Sequence, residues 1–226
     1  MMELDLVPFY LTFKLAMVTV LVLLCISLPL AWWLSVTRSS IKPVVETITA
    51  LPLVLPPTVL GFYLLVLLGP SGFFGKPWQT LFGHPLSFTF TGLVIASCFY
   101  SLPFVVQPLQ SAFEMVNPRT VEAAWTLGKN QLTTFFTIIL PQAKRGLITA
   151  VVLGFAHTVG EFGVVLMVGG NIPGETQVIS IAIYEKVETI DFAAAHWYSG
   201  VLLVFSFIVL FVVYALNRRW NYKVHL

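Results

Sequence analysis

Long apolar stretches are the feature of this sequence that most constrains its fold. A helix that crosses a membrane needs about 20 mostly apolar residues, and five stretches of the chain meet this requirement. Only 10% of the residues are charged, against about 25% in soluble domains, so the chain has too few charges to cover a water-facing surface. We therefore predict one all-α polytopic membrane domain over residues 1–226, with spans at approximately Leu15–Val36, Ile48–Gly69, Phe90–Phe113, Leu147–Val168 and Tyr198–Leu216.

The distribution of basic residues predicts how these spans are oriented. Cytoplasmic segments of membrane proteins carry an excess of lysine and arginine. With the N-terminus outside, nine basic residues lie on the cytoplasmic side, and only Lys14, Lys76 and Lys186 lie at or beyond the outer boundary. We therefore expect a cytoplasmic C-terminus. The nine are Arg38, Lys42, Arg119, Lys129, Lys144, Arg145, Arg218, Arg219 and Lys223.

Prolines interrupt the second apolar stretch. Pro52, Pro56 and Pro57 fall within it and Gly61 follows. Proline lacks a backbone N–H and clashes with a preceding carbonyl, so this helix must be broken or strongly kinked. Broken backbone at membrane depth is tolerated only where protein or a water-filled cavity surrounds it. Two interpretations stay open: a packing kink inside a helix bundle, or a segment that lines a substrate route.

The loop between the third and fourth stretches, residues 114–146, has the pattern of two short helices. Asn117-Pro118 is a helix-start signal. The next ten residues, RTVEAAWTLG, favour a helix, and Gly128 predicts its C-terminal end. A second helical stretch is predicted from Asn130 to Leu140-Pro141. Residues 132–140 are too short and too polar to span, so we expect them at the membrane surface.

A fixed spacing in this loop gives the most specific signal. Glu-Ala-Ala is followed by three residues, a glycine, nine residues and then Ile-x-Leu-Pro. This pattern resembles the EAA signature of ABC-importer permeases at every defined position. The resemblance implies a type I ABC importer permease whose helix pair docks on a separate ATPase subunit. The residues expected to couple to the ATPase are Glu122, Ala123, Ala124, Trp125, Leu127, Gly128, Ile138, Leu140 and Pro141.

Two further stretches narrow the resemblance. Residues 51–65 and 160–176 resemble the permeases of oxyanion importers, and the GNIPGET form with the later IAIY and DFAAA segments is most similar to molybdate permeases. Sulfate, thiosulfate and tungstate stay open as substrates. The resemblance implies a bacterial inner-membrane assembly of two copies of this chain, two ABC ATPase subunits and an external oxyanion-binding protein, without nucleic acid.

An ionisable pair lies within the fourth stretch. His157 and Glu161 are four residues apart, so on a helix they would share a face. An intramembrane carboxylate is a functional-site hypothesis by default. A carboxylate would repel a dianion, so we expect Glu161 to bond to His157 or to backbone, or to take part in gating. The family often has arginine at the position of His157, and histidine would make the pair pH-sensitive. The candidate path or gate residues are Pro52, Pro56, Pro57, Gly61, His157, Gly160, Glu161, Gly163 and Asn171.

Other classes of function fit the sequence less well. The stretch GPSGFFGKP resembles a phosphate loop, but Pro70 and Pro77 replace required residues of the Walker A motif, so we expect a turn-rich loop. We expect no metal, no cofactor and no catalytic residue in this chain, with ATP bound by its partner. An ion-coupled secondary oxyanion carrier remains as an alternative, although such carriers are expected to show more buried charge and inverted repeats.

Overall fold

The computed structural model describes the backbone of residues 5–221 and the side chains of residues 5–211. The predicted basic C-terminus, with the side chains of Arg218 and Arg219 and all of Lys223, lies outside these ranges. The regular structure of the described chain is helical. Its helices are α1 Val7–Val36, α2 Lys42–Ala50, α3 Pro57–Leu68, α4 Gly75–Phe82, α5 Phe90–Glu114, α6 Pro118–Thr126, α7 Gln131–Thr134, α8 Leu140–Gln142, α9 Lys144–Gly160, α10 Gly163–Gly169, α11 Ile179–Glu188 and α12 Phe192–Asn221.

Helices α1, α5 and α9 form the centre of the fold. The three pack against one another, and their contact is filled by fully buried side chains that include Leu23, Val105 and Leu109. A Cβ at Gly154 would lie 2.6 Å from Val105 Cγ2, so this glycine lets α9 approach α5 closely. Small residues have this role in membrane helix pairs because lipid supplies no hydrophobic force between helices.

Three of the five predicted spans are single helices. Helices α1, α5 and the described part of α12 are long and apolar enough to cross a membrane alone. Two of these helices begin before the predicted spans: α1 begins at Val7, where Asp5 accepts a hydrogen bond from the Val7 N–H, and α12 begins at Phe192. The second and fourth predicted spans are bent pairs of helices, which reach the same threshold only when each pair is taken together.

The second span is broken, as its prolines predicted. Helix α2 is followed by a 3₁₀ turn, Leu51–Leu53, and α3 begins at Pro57. The two parts are bent by 110°. Pro57 stands in the first turn of α3, where its missing N–H would have had no helical partner.

The fourth span, predicted as one helix over Leu147–Val168, is also broken. Helix α9 ends at Gly160, and the seven-residue helix α10 begins at Gly163. Glu161 is extended, with φ −71° and ψ 135°. At its other end α9 is bent by 76° from the helical segment Gln131–Gln142. The prediction of one continuous helix was therefore wrong at the glycine-flanked turn.

Two short helices lie between the spans, one of them in a segment predicted to be irregular. Helix α4 covers part of the phosphate-loop-like stretch, which was predicted to be a turn-rich loop, because Pro77 stands near the start of a helix where proline is tolerated. Helix α11 lies in the acidic segment before the last span. Both helices are too short to cross a membrane.

Candidate functional site

The two broken spans meet where α3 packs against α10. A Cβ at Gly61 would lie 2.9 Å from Met167 Cβ, and a Cβ at Gly163 would lie 2.8 Å from Pro57 Cβ. The two helices therefore touch through positions that only glycine fits without movement. Pro57, Gly61 and Gly163 were each proposed from the sequence as path or gate residues, and the structure brings these three together.

Glu161 is buried at the break between α9 and α10, with 5% of its surface exposed. Its Oε1 accepts a 2.6 Å hydrogen bond from the Val164 N–H, which caps the first turn of α10. The Ser180 hydroxyl donates a 2.6 Å hydrogen bond to the Glu161 carbonyl and ties α11 to the break. The Tyr100 side chain faces the same carboxylate. The Glu161 carboxylate thus accepts a hydrogen bond from the backbone at the turn, which is one of the two bonding roles expected from the sequence.

The other expected role, a contact with His157, is absent from the hydrogen bonds and ion pairs found in residues 5–211. The reason is that α9 ends at Gly160, so Glu161 leaves the helical face on which the i, i+4 relation depends. The hypothesis that the two residues form a pH-sensitive pair therefore lacks its geometric basis.

His157 is held by a chain of hydroxyl groups instead. Its Nδ1 lies 3.0 Å from Ser101 Oγ, and Ser101 Oγ lies 3.0 Å from Thr158 Oγ1. The Thr158 hydroxyl donates to the Gly154 carbonyl at 2.8 Å. With the Thr158 hydrogen directed at Gly154, the Ser101 hydroxyl donates to Thr158 and accepts from His157 Nδ1. This arrangement predicts the Nδ1–H tautomer for neutral His157.

Aromatic rings fix the plane of the His157 imidazole. It stacks on Phe104 with ring centroids 3.7 Å apart and on Tyr100 with centroids 4.5 Å apart. Ser101, Tyr100 and Phe104 all lie on α5, so His157 belongs to the contact between α9 and α5. Sequence reasoning missed these partners. The only local signal was a polar serine inside an apolar span.

The remaining path or gate candidates lie in different places. Pro52 is in the 3₁₀ turn that contacts α5, and Pro56 precedes the first turn of α3. Gly160 is the last residue of α9, and a Cβ there would meet no atom within 4 Å. Asn171 lies beyond the far end of α10, where its Nδ2 donates a 2.7 Å hydrogen bond to Glu185. The nine candidates therefore do not form one cluster.

The first half of the loop folds as predicted. The Asn117 side chain caps α6 by accepting from the Arg119 N–H. At the other end Gly128 has a φ of +79°, its N–H donates to the Trp125 carbonyl, and the Lys129 N–H donates to the Ala124 carbonyl. This left-handed glycine is a common way to end a helix.

The second predicted helical stretch of the loop ends one residue later than predicted. Asn130 caps α7 by accepting a 2.8 Å hydrogen bond from the Thr133 N–H. One π-helical segment, Phe135–Ile139, follows, and helix α8 carries the chain past the predicted end at Leu140-Pro141 to Gln142. Pro141 lies just after the π-helical segment, so its missing N–H falls where the regular i to i−4 bonding is already interrupted.

The motif residues divide between the loop surface and its underside. Glu122, Ala123, Trp125, Leu127, Gly128 and Pro141 are exposed, Ile138 and Leu140 are partly buried, and Ala124 is buried. Beneath them lies Trp32 of α1, a residue that sequence reasoning missed. Its ring meets Phe113 of α5 at 5.7 Å and Phe135 of the π-helical segment at 6.1 Å. The loop thus rests on the ends of α1 and α5 and presents a carboxylate and apolar side chains outward.

Comparison with known proteins places this fold in a family. Residues 27–222 match the family described as binding-protein-dependent transport system inner membrane component. The chain is 55% identical over 216 residues to the molybdenum transport system permease protein ModB of Azotobacter vinelandii, covering 96% of each. It is 33% identical over 195 residues to the sulfate transport system permease protein CysT of Escherichia coli K12, covering 86% of this chain and 70% of that protein.

A solved structure agrees with this assignment at the level of the fold. The structure is that of a bacterial ABC transporter involved in the import of the acidic polysaccharide alginate. It superimposes with a TM-score of 0.77 at 18% identity and covers 97% of this chain and 80% of the matched chain. The chain belongs to the binding-protein-dependent transport system inner membrane component family, and its fold is that of a type I ABC importer permease.

Proposed function

We propose that this permease carries molybdate, or a closely related tetrahedral oxyanion, into the cytoplasm in an importer driven by ATP. The observation that carries the proposal is the identity with the Azotobacter vinelandii molybdenum permease, which extends over nearly the whole of both chains. Identity with the sulfate permease is lower and covers a smaller part of that protein.

In this proposal two copies of the chain work with two ABC ATPase subunits and an external binding protein in a bacterial inner membrane. The chain itself binds no ATP. The loop around α6 lies on the cytoplasmic side and docks on the ATPase through Glu122, Trp125 and Leu127. The exposure of these side chains supports this role, since a carboxylate among exposed apolar residues suits a partner that offers a basic residue in an apolar cleft.

Orientation is tested by labelling single cysteines from one side of the membrane. The chain has two cysteines, Cys25 and Cys98, and both would be replaced first. We expect a cysteine at Leu127 to react only with reagent supplied from the cytoplasmic side and a cysteine at Lys76 only with reagent supplied from outside. The reverse pattern would refute the proposed orientation.

Transport is tested in liposomes that contain the permease with its ATPase and binding protein. We expect uptake of molybdate that requires internal ATP and the binding protein, with a 100-fold excess of sulfate competing weakly. Sulfate uptake at a comparable rate would instead support the sulfate branch. Uptake driven by a proton gradient without the ATPase would support an ion-coupled carrier. Glu122→Arg should lower coupled ATP hydrolysis, and an unchanged rate would argue against its docking role.

A further inference from the structure

Two polar side chains are exposed within the membrane-spanning helix α5, in the half that precedes the loop around α6. Gln107 and Ser111 are one helical turn apart, and both are exposed. Gln107 lies seven residues before the end of α5 at Glu114, a distance of about 10 Å along the helix. Neither side chain takes part in a hydrogen bond within the described part of the chain. An amide that faces lipid without a partner is costly, so this face of α5 meets water or protein.

The neighbours of α5 show where this face points. Helices α2 and α9 both pack against α5. The Gln110 amide donates a hydrogen bond to a carboxylate of α2, and Ala112 faces Gly146 of α9. Successive helical residues are turned by about 100°, so Gln107 lies about 60° around α5 from Gln110. Ser111 lies about 100° from Ala112 in the opposite sense. Both residues therefore face the gap that separates α2 from α9.

This gap between α2 and α9 has an aromatic end and a charged end. Phe104, one turn before Gln107, stacks on the His157 ring and lies at the end nearer the two helix breaks. Glu114, one turn beyond Ser111, is exposed at the other end. Because charged side chains at the end of a span lie in water, the polar stripe on α5 extends from water into the membrane.

Pro108 adds an unsatisfied backbone group to the same stripe. Proline has no N–H, so the carbonyl of Phe104, four residues earlier, lacks its usual helical donor. Phe104 shares a helix face with Gln107 and Ser111, since residues three and four apart are neighbours on a helix. Backbone groups that a proline frees at membrane depth are satisfied by protein or by water. The carbonyl, the amide and the hydroxyl together make this face suited to water.

We infer that a tetrahedral oxyanion passes through the gap between α2 and α9, where the Gln107 amide and the Ser111 hydroxyl donate hydrogen bonds to it. The inference rests on the proposed function and identifies groups that the substrate meets on the cytoplasmic side of the two breaks. The amide has two N–H donors and the hydroxyl has one. Neutral donors hold an anion more weakly than charged ones, and passage requires binding that is weak enough for release.

Water in the gap is tested by cysteine labelling of the permease with its ATPase in lipid nanodiscs without ATP. Cys25 and Cys98 are first replaced by alanine, and a charged, membrane-impermeant thiol reagent is added. We expect Gln107→Cys and Ser111→Cys to react, because the reactive thiolate forms in water. The matched control is Ile26→Cys, on an apolar face of α1 with 49% of the isoleucine exposed, which should stay unlabelled.

Two labelling results would overturn the inference. The first is a Gln107→Cys variant that reacts no faster than Ile26→Cys, because lipid or protein would then cover this face. The second is a disulfide that joins Gln107→Cys of two copies, because this face would then belong to the contact between copies.

Contact with the anion is tested by uptake into liposomes that contain the permease, its ATPase and its binding protein. Gln107→Leu has a similar size but no donor. The ratio of molybdate imported to ATP hydrolysed should fall about tenfold, the effect of losing a hydrogen bond to a charged group. Gln107→Asn keeps both donors and should recover part of the loss. Gln107→Glu places a negative charge beside the anion and should lower uptake further.

The matched control is Gln79→Leu, which removes an exposed amide from α4, beyond the other end of α5. Its ratio of molybdate to ATP should equal that of wild type. A wild-type ratio in Gln107→Leu would overturn the inference while leaving the proposed function intact. If the wild-type protein carried sulfate and no molybdate, the proposed substrate would be refuted, and the same comparison made with sulfate would still decide whether Gln107 contacts the anion.

Discussion

The contact between the two broken spans predicts that two glycines only three residues apart respond differently to the same substitution. Gly163 faces Pro57, and an added Cβ would lie 2.8 Å from Pro57 Cβ. Carbon atoms in contact sit about 3.5–4.0 Å apart, so Gly163→Ala must separate α3 from α10 by roughly 0.7–1.2 Å at this point. The proline ring is rigid and cannot rotate away. Overpacking of this kind costs about 1–3 kcal/mol.

Gly160 is the matched control, because a Cβ there would meet no atom within 4 Å. It is the last residue of α9, and alanine is favoured over glycine in a helix by up to about 1 kcal/mol. Gly160→Ala should therefore be neutral or slightly stabilising.

The assay is thermal unfolding of the purified permease in detergent, followed by intrinsic tryptophan fluorescence. At roughly 2–4 °C per kcal/mol for a chain of this size, Gly163→Ala should unfold several degrees below wild type and Gly160→Ala at or slightly above it. Gly61→Ala should resemble Gly163→Ala, since its Cβ would lie 2.9 Å from Met167 Cβ. Equal unfolding temperatures for the Gly160 and Gly163 variants would refute the packing of α3 on α10.

Three further predictions concern caps and tautomers. Gly128→Ala should destabilise the end of α6 by about 1–2 kcal/mol because the glycine φ is +79°. Gly128→Asn should cost less, because asparagine adopts positive φ more readily than alanine. Equal unfolding temperatures for the two variants would contradict this prediction. Glu161→Ala should lose about 1 kcal/mol with the cap on α10, whereas Glu161→Gln keeps an acceptor oxygen and should lose less in the same assay. The tautomer of His157 is measured by ¹⁵N NMR of a chain whose other histidines are replaced by glutamine, and neutral His157 should carry its hydrogen on Nδ1. Ser101→Ala should remove that preference. A signal from Nε2–H in the wild-type protein would be inconsistent with the hydroxyl chain.

Features set by neighbouring residues were predictable from the sequence. The caps at Asn117 and Gly128 act within one helical turn, so the start and end of α6 follow from local chemistry. The prolines of the second span likewise forced a break whatever the rest of the chain does. The apolar length of α1, α5 and α12 identified spans and placed the start of α5 at Phe90, although α1 and α12 begin before the predicted spans.

Features that depend on distant residues were not predictable. The break at Glu161 is stabilised by Ser180 and by the fit of Gly163 against Pro57, which is more than a hundred residues away in sequence. The bond between His157 and Ser101 joins residues 56 apart.

The two helix breaks have few unused backbone donors. At the second span, Pro56 and Pro57 have no N–H, and the N–H groups of Val59 and Leu60 already donate to the Pro56 carbonyl. At the fourth span, the Glu161 carboxylate takes the N–H of Val164. A tetrahedral anion is held by donors, so one that passes these breaks finds little to hold it there. Tight capture by these breaks would slow release on the far side. We therefore expect a short residence at the breaks for any substrate whose route runs past them.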